Sequence, residues 1–242
     1  MQTKSSQMKN LTSYDSIWTQ VYGDMQEHGP VHKHMRRILK TVLFPLSYRT
    51  VIDVGCGFGH NIPSYADALH PVKKIDGVDI SAKAISYCRS HFQGTFRRMD
   101  IQTHAPSGTW DLVFCSLLLE HVKHDIRVIQ NLRKMTGKYL VITTIGGDFD
   151  RNKHHEQQCG HVRNYKRGEV EQILNSNGFE VDTSIYWGFP FWSPLGKMLL
   201  NFYNAKHTFT KGEHIISLLA YLLYFFNSWR LGDLIVIVAH VP

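Results

Sequence analysis

Short β-branched runs alternate with amphipathic segments along most of this 242-residue chain. That alternation confines it to an α/β fold around a largely parallel sheet. Strands are expected over Thr50–Val54, Lys74–Asp79, Thr95–Arg98, Trp110–Cys115, Tyr139–Thr144, Glu180–Tyr186 and Asp233–Val241. The last of these, with LIVIVAHV at its heart, is apolar nearly throughout, as a strand covered on both faces must be. Between them, Met35, Ile38, Leu39 and Val42 repeat at helical spacing within His32–Leu43, and helices are expected over Gly59–Leu69, Ala82–His91, Val122–Met135 and Lys166–Asn177. Ser81 is placed to cap the helix that follows it. The simplest organisation is one domain over residues 1–242, with a helical cover over 1–48 and a helical insertion over 190–230.

Within that frame, VIDVGCGFGHN (residues 51–61) sets Gly55, Gly57 and Gly59 directly after the first strand. Removing three side chains from one turn lets a ligand approach the backbone closely. The spacing is G-x-G-x-G rather than the G-x-G-x-x-G of dinucleotide binders, and no P-loop lysine follows. Asp53, two residues before the first glycine, would repel a pyrophosphate and suits a ligand carrying an ammonium group. Asp79 ends the second strand, 20 residues after Gly59, where a carboxylate accepts ribose hydroxyls. Asp100 follows the third strand, placed for an adenine amino group, with Ile101 beside the ring. A cationic, nucleoside-containing cofactor fits these features better than NAD or ATP.

Taken in order, VIDVGCGFGHN, KKIDGVDIS, MDI and WDLVFCSLLLEHV resemble the successive motifs of class I S-adenosylmethionine-dependent methyltransferases. GHVRNY followed by ILNSNGFEV is similar to the small-molecule branch, including quinone-biosynthesis O-methyltransferases. The resemblance covers residues 32–187 and the last strand. It implies a Rossmann-like, seven-stranded, mostly parallel sheet whose last strand inserts antiparallel, and S-adenosylmethionine as the cofactor. Position by position, it implies that Asp53, Gly55, Cys56, Gly57 and Gly59 meet the methionine part. Asp79 and Ile80 would hold the ribose and one adenine face, Asp100 and Ile101 the adenine edge. Ser116 and Leu117 would lie near the sulfonium, and Arg36 or Arg37 would bind the cofactor carboxylate.

Methyl transfer is an in-line displacement at an activated carbon, so alignment supplies much of the rate. A general base is needed only when the acceptor is protonated at neutral pH. His121, just past the fourth strand, is the first candidate and His161 in GHVRNY the second, set against purely structural roles for both. Some relatives bind a divalent metal through Glu-x-x-Glu-His after that strand. Here Leu117 takes the first position and only Glu120 and His121 remain, so no metal is expected. His154, His155, Cys159 and His161 have a composition zinc accepts, but their spacing matches no standard site, and HHEQQCGH reads as a polar loop.

Composition narrows the setting. The chain is 43% hydrophobic and 19% charged, as a folded globular protein is. Four scattered cysteines without a CxxC pair point to a reducing compartment. The polar N-terminus lacks the apolar core of a signal peptide. The longest apolar run, Ile215–Phe226, falls well short of the roughly 20 residues needed to span a bilayer. A cytoplasmic location is therefore expected. The net charge of +7 is dispersed, as a solvated basic surface would be. The reading is methyl transfer to oxygen or nitrogen of a small apolar or aromatic molecule, with YWGFPFWSPLGKMLLNFYN and IISLLAYLLYFFNSW either as a lid over an apolar or lipid-linked acceptor, pressed against a membrane surface, or as a helical pair packing on the sheet or on a second subunit. An RNA methyltransferase and a cofactor-binding protein without transferase activity are the alternatives.

Overall fold

The computed structural model describes residues 25–66, 71–196 and 209–242. Helices α1 (Met25–His28) and α2 (Pro30–Leu43) precede the sheet. The chain then runs through β1 (Thr50–Val54), α3 (Ile62–Tyr65), β2 (Lys74–Asp79), α4 (Ala82–His91), β3 (Thr95–Arg98) and β4 (Trp110–Ser116). It continues through α5 (Asp125–Met135), β5 (Thr136–Ile145), α6 (Lys153–Gln158), α7 (Glu169–Ser176), β6 (Glu180–Trp187), α8 (Lys211–Leu223) and β7 (Leu234–His240).

The seven strands form one sheet in the order β3-β2-β1-β4-β5-β7-β6. All are parallel except β7, which runs antiparallel between β5 and β6. Successive residues of the central strands feed opposite cores, as the two-residue strand period requires. Val51, Leu112, Phe114, Val141 and Val236 join the core under α2 and Tyr65. Ile52, Val113, Cys115, Ile142 and Ile237 join the core under α5 and α7. Both faces are covered, which is why these strands are apolar almost throughout.

Several element ends differ from expectation. The segment after β4 winds into a 3-10 turn over Leu119–His121, so α5 begins at Asp125 rather than Val122. β5 starts at Thr136, directly after α5 ends at Met135, rather than at Tyr139. α7 begins only at Glu169, because Gly168 takes a left-handed conformation (φ 80°) before it. HHEQQCGH is not a loop: most of it lies in α6. Of the helix expected from Gly59, Ile62–Tyr65 is helical and residues 67–70 lie outside the described residues, as do 1–24 of the expected cover and 197–208 of the insertion. Ser81 caps α4 as expected, its Oγ accepting the Ala84 N–H at 3.0 Å.

Candidate active site

Strand order reverses between β1 and β4, and a ligand cleft is expected beyond the carboxyl ends of such a pair. The glycine turn leaves β1 at that point. Gly55, Gly57 and Gly59 all adopt positive φ (77°, 50° and 75°), which only glycine takes without strain. A Cβ at Gly59 would stand 2.5 Å from the Phe92 ring, so the tight spacing also lets the turn pack. The backbone is pinned from β2: the Gly55 and Cys56 amides donate to the Val78 carbonyl at 2.8 and 3.2 Å. Asp79 accepts the Gly57 N–H on Oδ2 and the Ser81 N–H on Oδ1, each at 2.8 Å. Its carboxylate thus shapes the turn from the position where a ribose is expected.

Asp53 is buried behind the turn, its Oδ2 accepting the Tyr65 hydroxyl at 2.9 Å. Burial pushes its carboxyl up to about 7, with the Tyr65 hydrogen bond opposing and the Asp79 charge adding to the rise. Asp100 accepts the Gln102 amide at 2.9 Å, and the Arg98 guanidinium donates to the Ile80 carbonyl at 3.0 Å. Ile101 is buried in the core under α5. On β4, the Ser116 hydroxyl bonds that of Thr143 at 2.7 Å. Leu117 has φ 50°, the one non-glycine residue with positive φ among the described residues. It is Leu118 that lies against Gly55, 3.2 Å from where a Cβ would be.

Helix packing separates the two arginines. Arg36 lines a cleft together with Gly59 and His60, and donates to the Gln26 and Glu27 carbonyls at 2.7 and 3.0 Å. Arg37 also borders that cleft, but its guanidinium lies over the Phe225 and Trp229 rings, 4.7 and 5.2 Å from their centroids.

Beyond the carboxyl end of β4, the turn after that strand meets the segment after α6. The His121 and His161 rings stand edge to face with centroids 4.7 Å apart. Glu120 is fully buried; its Oε2 accepts the Thr144 hydroxyl at 2.9 Å, while Oε1 has no hydrogen-bond partner. Burial raises its carboxyl above the ordinary value. Buried Glu156, which nothing in the sequence signals, holds His161 Nδ1 at 2.5 Å and accepts the Asn164 amide on its second oxygen at 3.1 Å. With Nδ1–H assigned to that carboxylate, Nε2 is the basic nitrogen of His161. His121 Nδ1 lies 3.2 Å from the Gly160 carbonyl, and burial beside His161 lowers its pKa to about 3, so it is a neutral imidazole at physiological pH. One donor atom from each of Glu120, His121 and His161 lies within 4.8 Å of the others. The remaining zinc-like residues do not join them: Cys159 pairs with His155 at 3.7 Å, and His154 with Gln158 at 3.0 Å.

The model of the methyltransferase domain family matches residues 25–184. The ubiquinone biosynthesis O-methyltransferase of Nitrosomonas europaea is 32% identical over 109 residues, 41% of this chain and 45% of that one. The Vibrio cholerae enzyme of the same name is 26% identical over 152 residues, 58% and 60% of the two chains. This chain thus spans about half the length of the curated relatives it matches. Magnesium protoporphyrin IX methyltransferase from Synechocystis PCC 6803, solved with bound SAM, shares the fold at a TM-score of 0.60 and 16% identity, over 100% of both chains. The family match spans the glycine turn, the strand-end aspartates and the histidine cluster alike, and the chain belongs to the methyltransferase domain family, among the class I S-adenosylmethionine-dependent methyltransferases.

Proposed function

We propose that this protein transfers the methyl group of S-adenosylmethionine to a hydroxyl oxygen of a small apolar or aromatic molecule. The observation that carries the choice of oxygen is the His161–Glu156 pair, a histidine whose basic nitrogen is presented by a buried carboxylate. An amine nucleophile with a free lone pair needs no such base; a hydroxyl does. The acceptor O–H gives its proton to His161 Nε2 as its oxygen attacks the methyl carbon. S-adenosylmethionine, held at the glycine turn and Asp79, would supply the methyl group activated by its sulfonium, with S-adenosylhomocysteine as the leaving group that takes the carbon–sulfur electron pair. Glu156 holds the imidazolium in register, and neutral His121 packs against it without adding a second charge. Ubiquinone O-methyltransferase relatives support this class of acceptor.

Cofactor roles follow the expected assignments. Asp79 and the Gly55–Gly59 turn face the nucleoside and methionine parts, and Arg36 is the arginine for the methionine carboxylate, because α2 presents it beside Gly59 and His60. We also keep residues 1–242 as one domain, since every strand from Thr50 to His240 joins one sheet. The test is methyl transfer from labelled cofactor to a panel of hydroxylated and aminated aromatic compounds. Transfer to phenolic oxygen that is lost in His161→Ala with cofactor affinity intact is expected; transfer to amines alone would overturn the oxygen assignment.

A second reading rests on the unpartnered Glu120 oxygen. Glu120, His121 and His161 fit a divalent cation, with Glu156 orienting His161 from behind, as outer carboxylates orient metal-bound histidines. A bound cation would lower the pKa of the acceptor hydroxyl. Binding of Mn2+ that disappears in Glu120→Gln favours this reading over the base; unchanged turnover in a chelator favours the base.

A further inference from the structure

α8 is folded inside out. Its one buried residue is Ser217, whose hydroxyl donates to the His28 carbonyl at 2.8 Å. Ile215, Ile216, Leu218, Leu219, Leu222 and Leu223 all face outward, Ile215 at 62% exposure. At about 100° per residue these six aliphatic side chains occupy one arc of roughly 160°. The arc carries no acidic residue, and Lys211 falls within it at the helix start. The following turn extends the patch with Phe225 and with Phe226, which is 75% exposed. Clustered exposed apolar side chains of this kind mark an interaction surface. Among the described residues no helix is long and apolar enough to cross a membrane.

What lies beside the arc identifies its occupant. α2 packs on α8 and is joined to it by His34, whose Nε2 bonds the Tyr221 carbonyl at 2.8 Å. α2 contains no acid, and its Lys33, Arg36, Arg37 and Lys40 line a cleft of about 820 Å3 that reaches Tyr221. Arg37 stacks on Phe225, at the edge of the apolar patch. A cationic stripe and an aliphatic arc thus sit on two interlocked helices.

We propose that α8 and the turn after it insert at the surface of an anionic lipid bilayer, with Lys33 and Lys40 of α2 over the headgroups. Apolar insertion and electrostatic attraction then act together, as reversible surface binding requires. This is independent of the acceptor's identity.

The test is co-sedimentation of the full chain with vesicles of phosphatidylcholine alone and of phosphatidylcholine mixed with phosphatidylglycerol. Binding to the mixed vesicles alone, weakened by salt, is expected. Lys33→Gln with Lys40→Gln should weaken it about 25-fold, from about fivefold for each cation near the surface. Leu219→Gln with Leu222→Gln should abolish it while cofactor affinity, read by calorimetry, stays unchanged. Should the leucine pair lose its fold, the lysine pair alone decides. Equal binding to both vesicles, binding to neither, or a wild-type dimer that the leucine pair dissociates in ultracentrifugation would overturn the proposal.

Discussion

The two sides of the strand-order reversal between β1 and β4 are built by different means. On the β1–β2 side, backbone amides and strand-end carboxylates saturate one another within about 30 residues of sequence: Asp79 holds Gly57 and Ser81, and Tyr65 holds Asp53. On the β4–β5 side, four side chains from two segments some 40 residues apart converge, and a buried carboxylate oxygen is left without a partner. The first side is held mainly by backbone hydrogen bonds, and Asn61 Oδ1 and Ser64 Oγ beside its turn also lack partners. The second gathers its buried polar groups around the unpartnered Glu120 oxygen, an arrangement that is destabilising and persists where it serves a ligand or a reaction.

Substitutions on each side should separate binding from chemistry. The largest effect expected is on the β4–β5 side: His161→Ala should slow methyl transfer to a hydroxyl by about 100- to 10,000-fold, with cofactor affinity unchanged by calorimetry. A parallel loss of cofactor affinity would show that the two sides are not independent. Next comes a contrast in pH dependence. Asp53 has a folded-state pKa of about 7 against an ordinary 3.8, so the folded state holds this proton more tightly. Its contribution favours folding at low pH and is lost as pH rises through 7, about 3 kcal/mol between pH 5 and 8. Asp53→Asn should flatten denaturant-derived stability over that range. His121 has the opposite sign, since its folded pKa is lowered. Stability attributable to it is present above about pH 6.5 and lost as pH falls toward 3, and His121→Asn should remove that acid limb.

A comparable effect on binding is expected from Asp79→Ala, which removes two charge-assisted hydrogen bonds to the turn. Affinity for S-adenosylmethionine should fall about 100-fold. Equal affinity would break the assignment of this side to the cofactor. The smallest effect belongs to Glu156→Gln, which keeps an acceptor for His161 Nδ1 but not the charge. Transfer should slow about tenfold at fixed pH, with cofactor affinity unchanged by calorimetry.

This same contrast governs what could be read from sequence. The β1–β2 side is local: glycines, a strand-end aspartate and a cap residue lie at short fixed spacings, and each took its expected place in the structure. The antiparallel insertion of the last strand followed from the family resemblance alone, since nothing in LIVIVAHV states its direction. Histidines 121 and 161 were recognisable one at a time, yet their meeting was not, because it depends on how the chain after β5 folds back. Glu156 had no signal at all, lying in a polar run that reads like any surface segment until α6 turns it inward. Arg36 and Arg37 are adjacent in sequence, and only the packing of α2 against the turn and α8 separates their tasks. Helix and strand ends shifted wherever a 3-10 turn or a left-handed glycine intervened, as at Leu119–His121 and Gly168.

The position of β7 carries a kinetic consequence. β6 joins the sheet only through β7, which follows it by nearly 50 residues and must slide between β6 and β5. Strands β1 to β5 can assemble in chain order, each beside a neighbour already made. β6 must wait, unpaired, until β7 has been synthesised and docks on both sides at once. Closure of the sheet is therefore a late, long-range event, and α8, lying in the intervening chain, is carried into place by it.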